Sequence, residues 1–135
     1  MSKKILIVDD DADFAAAMKL VLESNSYSVE SASSPDEGLR KLKEVHPDLI
    51  LLDIMMGKGA DGILFARKVR GENEYDRYSK VPILVLTSMR KQTGFWFPGE
   101  AKHPVFFPID KILEKPVKPE ALLEEVKGLL GAAVS

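Results

Sequence analysis

Acidic, basic and hydroxyl side chains stand directly after short aliphatic segments of this sequence, where each segment ends. If these segments are parallel β-strands, their carboxyl ends meet at one edge of the sheet, which is where ligands bind in open α/β sheets. We therefore expect the side chains to converge on one small site. They are Asp9 and Asp10 after residues 5–8, Asp53 after 49–52, Thr87 after 83–86, and Lys115 after 111–114.

This set of residues contains the groups needed to hold a phosphoryl group on a carboxylate. Two carboxylates about 4 Å apart repel each other by roughly 4 kcal/mol at an effective dielectric constant of about 20. Asp9, Asp10 and Asp53 would therefore need a cation or bound protons, and a few carboxylate oxygens with several waters suit Mg²⁺. Lys115 adds a fixed positive charge and Thr87 a hydroxyl donor. Metal, ammonium and hydroxyl could then each contact one outer phosphoryl oxygen.

The elements that would position these groups alternate along the chain. The four aliphatic segments, with a weaker fifth at Ser28–Ala32, are short and do not alternate in polarity, which is typical of strands buried on both faces of a parallel sheet. Helices are expected from about Ala12 to Ser24 with Phe14, Met18, Val21 and Leu22 on one face, after the capping-box sequence Ser34-Pro35-Asp36-Glu37, and after Pro119. Five such units predict a doubly wound, flavodoxin-like α/β fold with a five-stranded parallel sheet in the order 2-1-3-4-5.

Length and composition fit one domain with one core. The chain has 135 residues, 45% hydrophobic and 30% charged, with a formal net charge of −2 and no cysteine. The charge gives no indication of nucleic-acid or membrane binding, and the absence of cysteine excludes disulfides and thiolate chemistry. We expect a cytoplasmic protein, a single domain over residues 1–135 without an output domain, and a surface loop or helix end over Gly71–Lys80.

Four motifs together resemble the receiver domain of two-component response regulators. They are Ile-Leu-Ile-Val-Asp-Asp at 5–10, Leu-Ile-Leu-Leu-Asp-Ile-Met-Met at 49–56, Val-Leu-Thr-Ser at 85–88 and Glu-Lys-Pro-Val at 114–117. The resemblance covers essentially the whole chain, and the motifs occur in the family's order at the ends of the expected strands.

The resemblance implies a role for each residue of the expected site. Asp53 would accept a phosphoryl group from a histidine kinase or phosphotransfer protein. Asp10, Asp53 and the backbone carbonyl of Met55 would bind Mg²⁺, with Asp9 acting through a bound water. Thr87 and Lys115 would contact the phosphoryl oxygens.

The sequence departs from the family between the fourth and fifth strands. Gly94, Pro98, Gly99, Pro104 and Pro108 are too many helix breakers for the regular fourth helix of the family, so we expect an irregular segment over residues 89–110. Its aromatic residues either cover an apolar sheet face or form a partner surface. Ile112 stands where many receivers have a Tyr or Phe that reorients on activation. The expected switch or partner surface comprises Phe95, Trp96, Phe97 and Ile112.

Three functions remain open on the sequence alone. The first is a phosphorylation switch, not an enzyme acting on other substrates, that is read by a downstream protein which the sequence does not identify. The second is a Mg²⁺-dependent phosphatase of the aspartyl-phosphate type. Asp9-x-Asp11 resembles the nucleophile motif of such enzymes. The third is a binding module that no longer uses phosphate, which Ile112 and the irregular segment would suit.

Overall fold

The computed structural model describes residues 3–53, 61–87, 111–115 and 117–134. Five strands and five helices lie in these ranges. The strands are β1 (Lys4–Val8), β2 (Ser28–Ala32), β3 (Leu49–Asp53), β4 (Ile83–Thr87) and β5 (Lys111–Glu114). The helices are α1 (Ala12–Glu23), α2 (Pro35–Val45), α3 (Asp61–Gly71), a 3₁₀ helix (Asn73–Tyr78) and α4 (Pro119–Val134).

The strands form one parallel sheet in the order β2-β1-β3-β4-β5, as predicted. Val8 pairs with Leu52, and Asp53 pairs with Leu86 on the next strand. The carboxyl ends of β1, β3 and β4 are therefore nearly level. This register places the residues that follow β1 beside the last residue of β3.

Helices cover both faces of the sheet, which confirms the doubly wound architecture. On one face, Val8 and Leu52 pack with Leu39 of α2 and Phe65 of α3. On the other face, alternate strand residues pack against α1 and α4. This contact includes Ile5, Ile7 and Leu51 of the strands with Leu22 of α1 and Val126 of α4. Both faces of the central strands β1, β3 and β4 are buried and apolar, which explains why their sequences show no alternation.

The start of α2 shows one difference from the predicted capping box. The Ser34 hydroxyl accepts a hydrogen bond from the Glu37 N–H at 3.1 Å, and Pro35 occupies the first turn, as expected. The Glu37 carboxylate, however, accepts from the N–H of Ser33, at 2.7 Å, and not from that of Ser34. The reciprocal half of the box is shifted by one residue toward the preceding loop, and it still satisfies a backbone donor.

The prediction for Gly71–Lys80 was only partly right. Helix α3 ends at Gly71, but the residues after it form a 3₁₀ helix, and Tyr75 and Tyr78 are buried in the core on the α2 side of the sheet. Arg70 fixes the connection to β4, because its Nη1 donates to the carbonyls of Ser79 and Val81 at 3.0 and 2.7 Å. The segment is thus a packed element and not a surface loop.

The described residues do not include the segment before β5, but they include five helices whose length and polarity can be judged. The irregular segment over residues 89–110 lies outside the described residues and stays a prediction. Within the described ranges, none of the helices combines the length and the apolar character needed to cross a membrane.

Candidate functional site

Three carboxylates meet at the carboxyl ends of β1 and β3. Asp53 is the last residue of β3, and Asp9 follows the end of β1. Asp9 and Asp53 are only 3% and 8% exposed, whereas Asp10 is exposed. One carboxylate oxygen from each of the three lies within 4.8 Å of the others. The structure therefore brings together the three acidic residues that the sequence placed at this edge.

Lys115 reaches the same point from the residue after β5. Its Nζ donates a hydrogen bond to Asp9 Oδ2 at 3.2 Å and lies 3.6 Å from Asp53 Oδ2. The Lys115 side chain is 17% exposed, so water screens these ion pairs only weakly. One ammonium thus faces a cluster of three carboxylates.

The first turn of α1 holds Asp9 in place. Asp9 Oδ1 accepts a hydrogen bond from the Asp11 N–H at 2.8 Å, and Asp11 is itself the cap of α1, accepting from the Phe14 N–H at 3.0 Å. Helix capping is therefore the role of Asp11. Asp9, and Asp10 beside it, are left to face the sheet edge.

Burial sets the protonation of Asp9. Removal from water raises the pKa of the Asp9 carboxyl to about 6, and the nearby charge of Asp53 acts in the same direction. The Asp11 N–H and Lys115 oppose this rise without cancelling it. Among the described residues, the carboxylates of Asp9, Asp10 and Asp53 thus outnumber the Lys115 ammonium at this edge of the sheet.

This donor set fits a hard divalent cation. Carboxylate oxygens from three residues lie close enough to share one ion, and one of the three is exposed to solvent, which leaves room for water ligands. Mg²⁺ prefers oxygen ligands and retains several waters in such sites. Asp9, Asp10 and Asp53 could therefore hold it.

The other residues expected at the site are placed less fully. Thr87 is the last residue of β4 and pairs with Glu114 of β5, so its backbone lies at the same edge. Ile112 is half-buried on β5 and packs against the core on the α2 side. Met55, Phe95, Trp96 and Phe97 lie outside the described residues, so their expected roles stay predictions.

Sequence reasoning missed one neighbour of the site. It assigned Phe14 only to the apolar face of α1, but the structure places Lys115 Nζ 4.1 Å from the centre of the Phe14 ring. The contact joins residues far apart in the chain, and helical periodicity alone carries no signal for it.

The sequence of this chain is similar to those of known proteins. The family model described as the response regulator receiver domain matches residues 5–127. The transcriptional regulatory protein ResD of Bacillus subtilis is 34% identical over 96% of this chain and 49% of its own length. The DNA-binding response regulator MtrA of Mycolicibacterium paratuberculosis is 31% identical over 96% of this chain and 52% of its own length. The chain thus spans about half the length of these relatives.

Solved structures agree with the sequence relatives. A CheY-like response regulator receiver domain protein from Methanospirillum hungatei superposes with a TM-score of 0.81 at 27% identity, covering 99% of this chain and 98% of that one. A two-component response regulator from Clostridium difficile gives a TM-score of 0.81 at 28% identity, covering 99% and 100%. With the acidic edge of the sheet and the match over residues 5–127, these likenesses show that the chain belongs to the response regulator receiver domains.

Proposed function

We propose that this chain is a phospho-acceptor switch in a two-component phosphorelay, and that Asp53 accepts the phosphoryl group from a histidine kinase or phosphotransfer protein. The observation that carries the proposal is the position of Asp53. Its carboxylate stands at the end of a fully buried central strand. The carboxylate oxygens of Asp9 and Asp10 and the ammonium of Lys115 lie close to it. Family membership supports the same reading, since receiver domains act as phospho-acceptor switches and not as conventional enzymes.

The transfer itself needs little covalent chemistry from the protein. An Asp53 carboxylate oxygen attacks phosphorus, so a P–O bond forms while the P–N bond to the donor histidine breaks and the imidazole nitrogen keeps the electron pair. The acceptor side gains negative charge in this step. Lys115, 3.6 Å from Asp53 Oδ2 and weakly exposed, is placed to balance that charge.

We further propose that Mg²⁺ is the cofactor, held by Asp10, Asp53 and the backbone carbonyl of Met55, with Asp9 acting through a bound water. The bound ion would supply positive charge that neutralises the carboxylates and the transferring phosphoryl oxygens. The closeness of the Asp9, Asp10 and Asp53 carboxylates supports this assignment, and burial and the charge of Asp53 raise the pKa of Asp9 to about 6. The hydroxyl of Thr87 is proposed to contact a phosphoryl oxygen.

The phosphorylated state is proposed to be read by a downstream protein in the cytoplasm, without direct contact of this chain with nucleic acid. The relative MtrA is a DNA-binding regulator, but this chain spans about half of that protein and carries a formal net charge of −2. Trp96 is the sole tryptophan of the chain, so its fluorescence reports on the segment with Phe95 and Phe97. We expect beryllofluoride with Mg²⁺ to change this emission in the native protein and not in Asp53→Asn.

The acceptor assignment is tested by incubating the protein with Mg²⁺ and acetyl phosphate and measuring its intact mass. One phosphate should be added to the native protein and none to Asp53→Asn. Asp13→Asn is the matched control, because Asp13 is an exposed aspartate on the first turn of α1, and it should still gain one phosphate. Phosphate on the Asp53→Asn protein would refute the assignment.

Steady turnover of a phosphate ester would favour a phosphatase, and failure to bind Mg²⁺ or beryllofluoride would favour a phosphate-independent binding module.

A further inference from the structure

The structure assigns a role to a residue outside the acidic cluster: we propose that Phe14 is a positioning residue for Lys115. The face of its ring would hold the Lys115 ammonium where it meets the acceptor carboxylate. The inference deepens the proposed function, because it rests on Lys115 acting during phosphorylation of Asp53.

The geometry of the contact is that of a cation–π interaction. Lys115 Nζ lies 4.1 Å from the centre of the Phe14 ring, well inside the roughly 6 Å limit for such contacts. The same ammonium lies 3.2 Å from Asp9 Oδ2 and 3.6 Å from Asp53 Oδ2. The ring and the carboxylates thus define the position of the ammonium together.

Lysine needs such support more than most side chains do. Its ammonium sits on a flexible four-carbon stem, so many rotamers compete with the one that reaches Asp53. The Phe14 ring attracts the ammonium through its quadrupole and carries no net charge. It can therefore restrict Lys115 without acting as a further carboxylate that would compete with a phosphoryl group.

Phe14 is itself fixed by the acidic edge. Its backbone N–H donates to the capping carboxylate of Asp11, and the Asp11 N–H donates to Asp9 Oδ1. Asp9 in turn accepts from Lys115. The ring, the helix cap and the first carboxylate therefore form one connected structure around the ammonium. A displacement of Phe14 would change the position of the Lys115 ammonium.

The competing explanation is that Phe14 only packs against the apolar face of the sheet, with which it is in contact. Fluorinated phenylalanines separate the two roles, because successive fluorines weaken the ring's quadrupole while its size changes little. We would place 4-fluoro-, 3,5-difluoro- and 3,4,5-trifluorophenylalanine at position 14 by site-specific incorporation. Each protein would then be phosphorylated with acetyl phosphate and Mg²⁺.

We expect the phosphorylation rate to fall stepwise along the series, by about three- to tenfold at trifluorophenylalanine, as suits a partly desolvated cation–π contact. Thermal unfolding should stay nearly constant. The matched control is trifluorophenylalanine at Phe65, which is buried on the opposite face of the sheet and should leave the rate unchanged. A flat series at position 14, with or without a slower Phe14→Leu protein, would overturn the proposal.

A second readout does not depend on phosphorylation. In metal-free protein, the ring current of Phe14 should shift the Lys115 ε-methylene protons upfield, and Phe14→Leu should return them to the ordinary lysine position. If the native protein takes up no phosphate, the proposed function fails, and this shift still decides whether Phe14 positions Lys115. Unshifted protons in the native protein would overturn the inference by themselves.

Discussion

Among the described residues, Lys115 and Lys43 each lie over an aromatic ring, in two regions that differ in charge and exposure. In the acidic site, formed by Asp9, Asp10, Asp53 and Lys115, the lysine Nζ lies 4.1 Å from the Phe14 ring. The α2 contact is formed by Lys43 of α2, by His46 at the end of that helix, and by Glu74, Tyr75 and Tyr78 of the 3₁₀ helix. Its lysine Nζ lies 5.1 Å from the centre of the Tyr75 ring. The Lys115 side chain is 17% exposed and the Lys43 side chain 45%.

The partners of the two lysines differ as much as their exposure does. Lys43 pairs with one exposed carboxylate, Glu74, so the charges in that contact are balanced. Lys115 faces three carboxylates, two of them buried. An exposed balanced pair costs little and contributes little to stability, whereas buried unbalanced charge opposes folding. Among the described residues, the carboxylates of the acidic site outnumber the Lys115 ammonium, and such a set of oxygen donors suits a divalent cation.

The largest effect that separates the two regions is expected on the phosphorylation rate. Lys115→Met should slow phosphorylation of Asp53 by acetyl phosphate about a hundredfold, because it removes a preorganised charge from the transferring group. Lys43→Met should leave the rate unchanged, since Lys43 is on α2 and pairs with Glu74 of the 3₁₀ helix, outside the acidic site. Single-turnover phosphorylation followed by intact mass measures both. Equal rates for the two variants would remove the functional contrast.

The next effect concerns Mg²⁺. Asp10→Asn should weaken Mg²⁺ binding by about tenfold or more, as expected for loss of a charged ligand in a site of few carboxylates. Asp13→Asn should change it little, because Asp13 lies on the exposed first turn of α1. Calorimetric titration gives both affinities. Equal affinities would contradict the assignment of the metal to the sheet edge.

Loss of a carboxylate from the acidic site should raise the stability of the protein, in contrast to its expected effect on Mg²⁺ binding. Asp9→Asn is expected to stabilise the metal-free protein by about 1–3 kcal/mol at pH 7, because the native state must otherwise ionise a carboxyl whose pKa burial raises from 3.8 to about 6. The native state binds this proton more tightly than the unfolded state, so the penalty grows as the pH rises from about 4 to about 6. Above that range it is constant.

Urea unfolding of both proteins in a chelator, from pH 4 to pH 7, tests this sign. The advantage of Asp9→Asn should shrink toward zero on acidification. A less stable Asp9→Asn protein at pH 7 would mean that the ion pair of Asp9 with Lys115 outweighs the cost of burial.

The smallest effect belongs to the α2 contact. Tyr78 is buried, and its hydroxyl lies 2.8 Å from His46 Nδ1. Tyr78→Phe keeps the ring and removes this hydrogen bond, so unfolding should require about 0.5–1.5 kcal/mol less. Tyr75→Phe is the control, since the Tyr75 hydroxyl has no hydrogen bond to a described residue. Equal losses in the two variants would show that the His46 bond contributes nothing.

The sequence was most informative where local pattern and strand direction determine the position of a residue. Short aliphatic segments must be buried strands, and parallel strands must place their following residues at one edge. These two rules are enough to bring Asp9, Asp53 and Lys115 together from the sequence alone. The role of Thr87 is not decided by its place at the end of β4.

The sequence was less informative where packing between distant elements decides the outcome. Tyr75 and Tyr78 stand in a charged stretch that reads as a loop, although their spacing of three residues matches one turn of a 3₁₀ helix. Phe14 reads as an ordinary core residue of α1. Its contact with Lys115 depends on where the chain places the residue after β5, which local pattern does not encode.

The strand order also has a consequence for a chain that is still being synthesised. β1 pairs with β3 through Val8 and Leu52, and both strands leave the ribosome well before β5. A nascent chain that forms this pairing brings Asp9 and Asp53 together while Lys115 is still untranslated. At that stage the two carboxylates lack the Lys115 ammonium, which lies close to both of them in the folded domain. Synthesis of β5 and the residue after it then supplies both the outer edge of the sheet and this ammonium.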